Sequence, residues 1–181
     1  MSSYFSFEPQ HFNNNGDQGN LLVLSKQLAL SGQSFTETEE IRDADFVLVG
    51  DASMAAMRHY AGRLELLRPF IKDRFAQGAP TLIVGSSYEF FASDLGLTSK
   101  PYLRRSEFVD KDGIFGYMNV DHNLPPFVAN GAFMATSLFG PILAKNPELL
   151  EQMTISLGAT FQIENIEREW VAEIRRRSIG G

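Results

Sequence analysis

Gly78-Ala79-Pro80-Thr81-Leu82-Ile83-Val84-Gly85-Ser86-Ser87-Tyr88-Glu89 decides the fold. Thr81 to Val84 is a short run, mostly β-branched, bounded by glycine on both sides. Such a run suits a strand covered on both faces, as in a parallel sheet. Gly78 closes the helix before it, Pro80 opens the strand, and Gly85-Ser86-Ser87-Tyr88 turns into a short helix expected from Glu89 to Ser93. Asp45-Phe46-Val47-Leu48-Val49-Gly50 repeats the pattern: a β-branched apolar strand ending in glycine.

Between these strands, Met54, Met57, Leu64, Leu67, Ile71 and Phe75 recur near helical period, and Gly62 and Pro69 are expected to break that helix in two. On the amino-terminal side, Tyr4 to Phe7 is an aromatic strand ended by Pro9. The turn-rich Asn13 to Asn20 follows, then a helix to about Leu30 with Gly32 beyond its end. On the carboxyl side, Tyr102–Val109 and Gly113–Met118 are expected to pair across the Asp110–Gly113 turn. Asp121 to Pro126 reads as a loop, Ala132 to Leu138 as a strand, and Gly140-Pro141 as a sharp break. Pro147 starts a helix, and a last helix spans about Ile163 to Arg177. Alternating strands and helices around buried β-branched runs give an α/β fold, a three-layer sandwich with a mostly parallel sheet. The default site is the loops at the carboxyl ends of its strands. One domain is expected over 1–181, with a helical extension at about 160–178.

Composition narrows the chemistry. There is no cysteine, so disulfides, thiolate metal sites and thiol nucleophiles are excluded. His11, His59 and His122 are too scattered for a histidine-rich metal site, so no metal and no cofactor are expected. Net charge is −6 with pI near 5.1, against a nucleic-acid partner. No apolar run reaches the roughly 18 residues a membrane helix needs. Met1-Ser2-Ser3-Tyr4 lacks the basic and apolar regions of a signal peptide, so a cytoplasmic protein is expected.

Four segments, in order, resemble the class I glutamine amidotransferase domain of the cobyric-acid-synthase type, most nearly the glutaminase subunit of lipid II isoglutaminyl synthase. Asn15-Gly16-Asp17-Gln18-Gly19-Asn20-Leu21 looks like that family's GD-x-GN loop. Asp45 to Gly50 aligns with the strand entering its Gly-rich oxyanion loop. Gly78 to Glu89 looks like its nucleophile strand and elbow. Leu138-Phe139-Gly140-Pro141-Ile142-Leu143-Ala144-Lys145-Asn146-Pro147 is very similar to its LHGP-x-L…NP segment. Gly116-Tyr117-Met118-Asn119 matches the GFEN stretch between them. The resemblance covers about residues 5 to 155 and implies a flavodoxin-like, class I amidotransferase-like fold. The chain is shorter than the family pattern, mostly between Asn119 and Ala132.

The departures fall on the chemistry. In an active family member an elbow Cys attacks the glutamine amide, a His activates it, and backbone N–H groups hold the oxyanion. Here the Cys position is Gly85 and the His position is Phe139, which is expected to fill the vacated pocket. The Gly-rich loop reads Gly50-Asp51-Ala52, and an anion there opposes charge development. The resemblance therefore implies a glutaminase-like domain without glutaminase activity that works by binding. Its partner would be a Mur-ligase-like subunit of cell-wall lipid II amidation, or a second copy in a homodimer. Gly16, Asp17, Gln18 and Asn20 are the candidate partner surface, and Gly50, Asp51, Ser86 and Ser87 the candidate ligand site.

Rival readings stay open. Ser86 or Ser87 with His122, or Asp51 as general base, would make a rebuilt hydrolase. Otherwise the serines cap a helix, or the Gly85–Ser87 backbone holds an anion. A small-molecule sensor would bind at the cleft without turnover. His59, beside Arg58 and Arg63, and Arg175-Arg176-Arg177 are read as solvated, while Phe90, Phe91, Phe127 and Phe133 are candidates for an exposed aromatic patch.

Overall fold

The computed structural model describes residues 1–179. Its main sheet has six strands: β1 (Ser2–Ser6), β2 (Phe35–Glu37), β3 (Phe46–Val49), β4 (Thr81–Val84), β7 (Phe127–Asn130) and β8 (Phe133–Thr136). Their order is β2-β1-β3-β4-β8-β7. All neighbours run parallel except the edge pair β7–β8. This is the doubly wound flavodoxin-like order, with β8 as fifth strand and an antiparallel edge added. The fold class read from the sequence is the one observed.

Seven α-helices accompany the strands among the described residues: α1 (Gly19–Leu30), α2 (Met54–His59), α3 (Ala61–Gln77), α4 (Ser86–Phe91), α5 (Ile142–Lys145), α6 (Pro147–Ser156) and α7 (Asn165–Ile179). Alternate side chains of the central strands feed two cores, one per sheet face. Leu48, Leu82 and Met134 join Leu24 and Leu28 of α1 and Met153 of α6. Val47, Val49, Ile83 and Ala135 join Leu64 and Ile71 of α3 and Phe91 of α4. Both faces are covered, which is why β3 and β4 are buried at every position and apolar at all but Thr81. No helix among the described residues is long and apolar enough to cross a membrane.

A separate antiparallel ribbon, β5 (Pro101–Lys111) with β6 (Ile114–His122), lies beyond the sheet. It turns at Asp112–Gly113, both with positive φ (55° and 80°), the backbone of a two-residue type I′ hairpin. The inner face of β6 feeds the first core through Met118 and Val120, and its Tyr117 bridges Phe139.

Several expectations need correction. The helix over 54–77 is broken at Tyr60, whose ring packs against Phe12, and not at Gly62 or Pro69. Pro69 lies inside α3 on its exposed side. Helix α4 starts at Ser86 rather than Glu89. Strands β2 and β7 and helix α5 were not anticipated. Asp121 and His122 belong to β6, not to a loop.

Of the four phenylalanines expected in an exposed patch, Phe91 and Phe133 are fully buried, and Phe90 and Phe127 are half-buried. The exposed aromatics are instead Tyr102, Phe108 and Trp170. His59 is exposed, as expected. Arg175 is not solvated: it donates to the Lys145 carbonyl (3.0 Å) and to Asn146 Oδ1 (2.9 Å), holding α7 against the α5–α6 junction. Arg176 and Arg177 pair with Glu173.

Candidate functional site

The carboxyl ends of β1, β3, β4 and β8 meet at one place. Between β4 and α4 the chain turns at Gly85, with φ 61° and ψ −124°. A strand-to-helix turn of this kind is where an α/β enzyme mounts a nucleophile, with the next residue's N–H as an oxyanion donor. Here a Cβ on Gly85 would stand 2.3 Å from Asp51 Oδ1 and 2.6 Å from its Cγ. The carboxylate of Asp51 thus occupies the space into which a side chain at the elbow would grow.

Asp51 is held there on every side. Its Oδ1 accepts the Ser86 N–H (2.8 Å), and its Oδ2 accepts from Asn15 Nδ2 (2.7 Å) and Asn14 Nδ2 (3.2 Å). Its own N–H donates to Asp17 Oδ2 (2.9 Å), and its carbonyl accepts the Asn14 N–H (3.0 Å). The Ser86 N–H at the elbow is thus already taken by a side chain of the same molecule.

Asp17 is fully buried, and its Oδ1 has no partner. Burial, reinforced by the Asp51 charge, pushes its carboxyl up to about 7; hydrogen bonds from the Asp51 and Asn15 backbone and the Lys145 charge pull the other way. Burial likewise holds the Lys145 ammonium below its ordinary value. Lys145 donates to the Phe139 carbonyl (2.8 Å), and a Cβ on Gly140 would stand 2.7 Å from its Nζ. Gly50 is a packing glycine: a Cβ there would lie 2.1 Å from the Phe12 carbonyl oxygen.

Above this floor opens a cleft of about 440 Å³, lined among others by Gly85, Ser86, Glu89, Arg104, Asn119 and His122, with Phe139 on its wall. The structure brings Gly85 and Phe139 to one cavity. Of the candidate ligand residues only Ser86 lines it; Gly50, Asp51 and Ser87 are buried beneath. Of the candidate partner surface, Asp17 and Asn20 are fully buried, which removes their side chains from any partner contact. Asn20 accepts the Leu143 N–H (2.9 Å) and so ties the GD-x-GN loop to the segment after Gly140-Pro141. Gly16 is exposed, and Gln18 half-buried, donating to Ser6.

The serine readings lose their geometry. Ser86 Oγ donates to the Ala52 carbonyl (3.0 Å) and accepts the Ala52 N–H (3.0 Å); Ser87 Oγ donates to the Gly50 carbonyl (2.7 Å). Both hydroxyls tie the elbow to the loop after β3 and neither caps a helix. His122 lines the cleft but faces Ser137 at 3.5 Å. Its Nδ1 accepts the Leu124 N–H (3.3 Å), which places the ring proton on Nε2. Nε2 is then a donor toward Ser137, the wrong polarity for a base. Burial lowers the His122 pKa.

Asn14, Asn15 and Lys145 are the site residues that sequence reasoning missed. Asn14 and Asn15 read as turn formers, and nothing in a run of asparagines points to an aspartate 37 and 36 residues away. No group of three or more His, Cys, Asp or Glu side chains placed to hold a metal occurs among the described residues.

No protein-family model matches the chain, and no curated protein does. Solved structures do. A glutamine amidotransferase from Thermotoga maritima matches at 11% identity over 96% of this chain and 95% of its own, with a TM-score of 0.46. The protein SMU.1228c matches at 13% identity over 97% and 99%, with a TM-score of 0.47.

Proposed function

We propose that this chain is a glutaminase-like domain that does not hydrolyse glutamine and works by binding. One observation carries the reading: the Asp51 carboxylate fills the space over Gly85 and takes the Ser86 N–H. Nucleophile and oxyanion site are lost together, because one side chain stands where both would be. Phe139 on the cleft wall supplies no base in place of imidazole. The partner suggested by the sequence resemblance is a Mur-ligase-like amidating subunit of lipid II metabolism, meeting the exposed part of the GD-x-GN loop at Gly16 and Gln18. Purified protein incubated with glutamine should release no ammonia above a protein-free control. Turnover on the order of 1 per second, usual for an enzyme, overturns the reading. Native co-purification tests the partner: recovery of a Mur-ligase-like chain supports it, and its absence from the complex removes it.

A second reading draws on the cleft. Arg104, Glu89, Asn119 and Asp121 offer both charges and an amide around about 440 Å³, suited to a small zwitterion held without turnover. A thermal shift with glutamine or glutamate supports this sensor; no shift at millimolar concentration removes it. The rebuilt hydrolase finds no support in Ser86 and Ser87, whose hydroxyls are spent on backbone groups. A fluorophosphonate probe should leave the protein unlabelled.

A further inference from the structure

The ribbon carries an inference that does not rest on any reading of the cleft. Among the described residues β5 pairs only with β6, leaving its other edge open along the strand. Tyr102, Leu103 and Phe108 on this strand are 57%, 82% and 49% exposed. A two-stranded ribbon is marginal alone, and an open apolar edge is a template for another strand.

The hairpin fixes which backbone groups are available. Lys111 and Ile114 flank the two-residue Asp112–Gly113 turn, so they form a hydrogen-bonded pair. Alternation then turns Val109, Glu107 and Arg105 toward β6. The N–H and C=O groups of Asp110, Phe108 and Ser106 point to the open edge. The β5–β6 register is regular from Arg105 to Lys111 and shifts between Pro101 and Arg105.

A second copy related by a two-fold axis must match these outward groups, and charge decides among the registers that do. Centred on Glu107, the pairing sets that carboxylate against itself. Centred on Phe108, it sets Arg105 against Lys111. Like charges directly opposite are destabilising. A centre at Val109 avoids this but overlaps only Glu107 to Lys111. Centred on Ser106, the midpoint of β5, it lies within the regular stretch and places Arg105 opposite Glu107 of the second copy, twice by symmetry.

We propose that this protein forms a two-fold dimer through antiparallel β5–β5 pairing centred on Ser106, making a four-stranded sheet from two ribbons. Arg104 also lines the cleft, so the second copy stands at its rim.

Sedimentation velocity of the full chain over a concentration series is the test, with a reversible dimer expected. Ser106→Pro removes a donor aimed at the second copy and leaves the β6 ladder intact, so monomer with unchanged circular dichroism is expected. Arg105→Glu or Glu107→Arg alone should weaken the dimer about tenfold or more, since the contact occurs twice. The two together should restore it. A monomer at every concentration overturns the proposal, as does a dimer indifferent to Ser106→Pro and to both reversals. Should Ser106→Pro fail to fold, the reversals decide: loss in each single variant without recovery in the double variant also overturns it.

Discussion

The elbow at Gly85 and the ribbon at β5 both border the cleft, and they are held in opposite ways. At the elbow, Asp51 meets the Ser86 N–H, two asparagine amides and a glycine with no room for a Cβ, and its own N–H is anchored on Asp17. Each group there has its place because the others leave it no alternative. On β5 nearly every side chain is exposed, and one backbone edge has no partner. Substitutions should therefore be costly and coupled at the elbow, and cheap for folding on the ribbon.

The sharpest way to break that contrast is Gly85→Ala. The new Cβ meets Asp51 at 2.3 Å, at a φ of 61° that side chains avoid. Overpacking and backbone strain together should cost about 3 kcal/mol in urea unfolding. In an Asp51→Gly background the same change should cost at least about 1 kcal/mol less, because the steric part is gone. An additive cycle would show that the two positions are not coupled as described.

Next in size is Asp51→Ala, which strands the Ser86 N–H and two amides. It should cost about 2 kcal/mol by the same measurement. It should also bring the Asp17 carboxyl down, since the Asp51 charge is one cause of its upward shift.

Asp17 acts through pH, and its effect accumulates over several pH units. Its folded pKa, about 7, is raised above the ordinary 3.8, so the folded state holds a proton that the unfolded state has lost. Its contribution to stability is fully present below the unfolded pKa and is lost as pH rises toward 7, at up to about 1.4 kcal/mol per pH unit. Asp17→Asn keeps an acceptor for the Asp51 N–H and should remove that slope between pH 4 and 7. Chemical denaturation of both proteins across that range reads the difference, and parallel curves would contradict the assignment.

The smallest effect is expected on the ribbon. Leu103→Ser, at a side chain 82% exposed, should change the unfolding free energy of the monomer by no more than about 0.5 kcal/mol. A larger loss would mean that β5 is packed by its own chain after all.

The legible parts of the fold were those where local pattern and tertiary environment agree. β3 and β4 are buried at every position because both sheet faces are covered, and that leaves a nearly all-apolar run no exposed strand would show. The Asp-Gly turn fixed the hairpin because few other residues accept two successive positive φ values. β2 escaped because a three-residue edge strand buries little and needs no apolar run. The break at Tyr60 escaped because it rests on rings contributed by distant residues, while Pro69, the local signal, sits where helix geometry tolerates it.

By itself the sequence determined that no thiol chemistry exists here and that Gly85 and Phe139 stand in a doubly wound α/β frame. Only the tertiary structure decided what stands over Gly85. It is a carboxylate on the neighbouring strand's loop, fixed by asparagines 36 and 37 residues away, because hydrogen bonds and close contacts depend on distance in space and not along the chain.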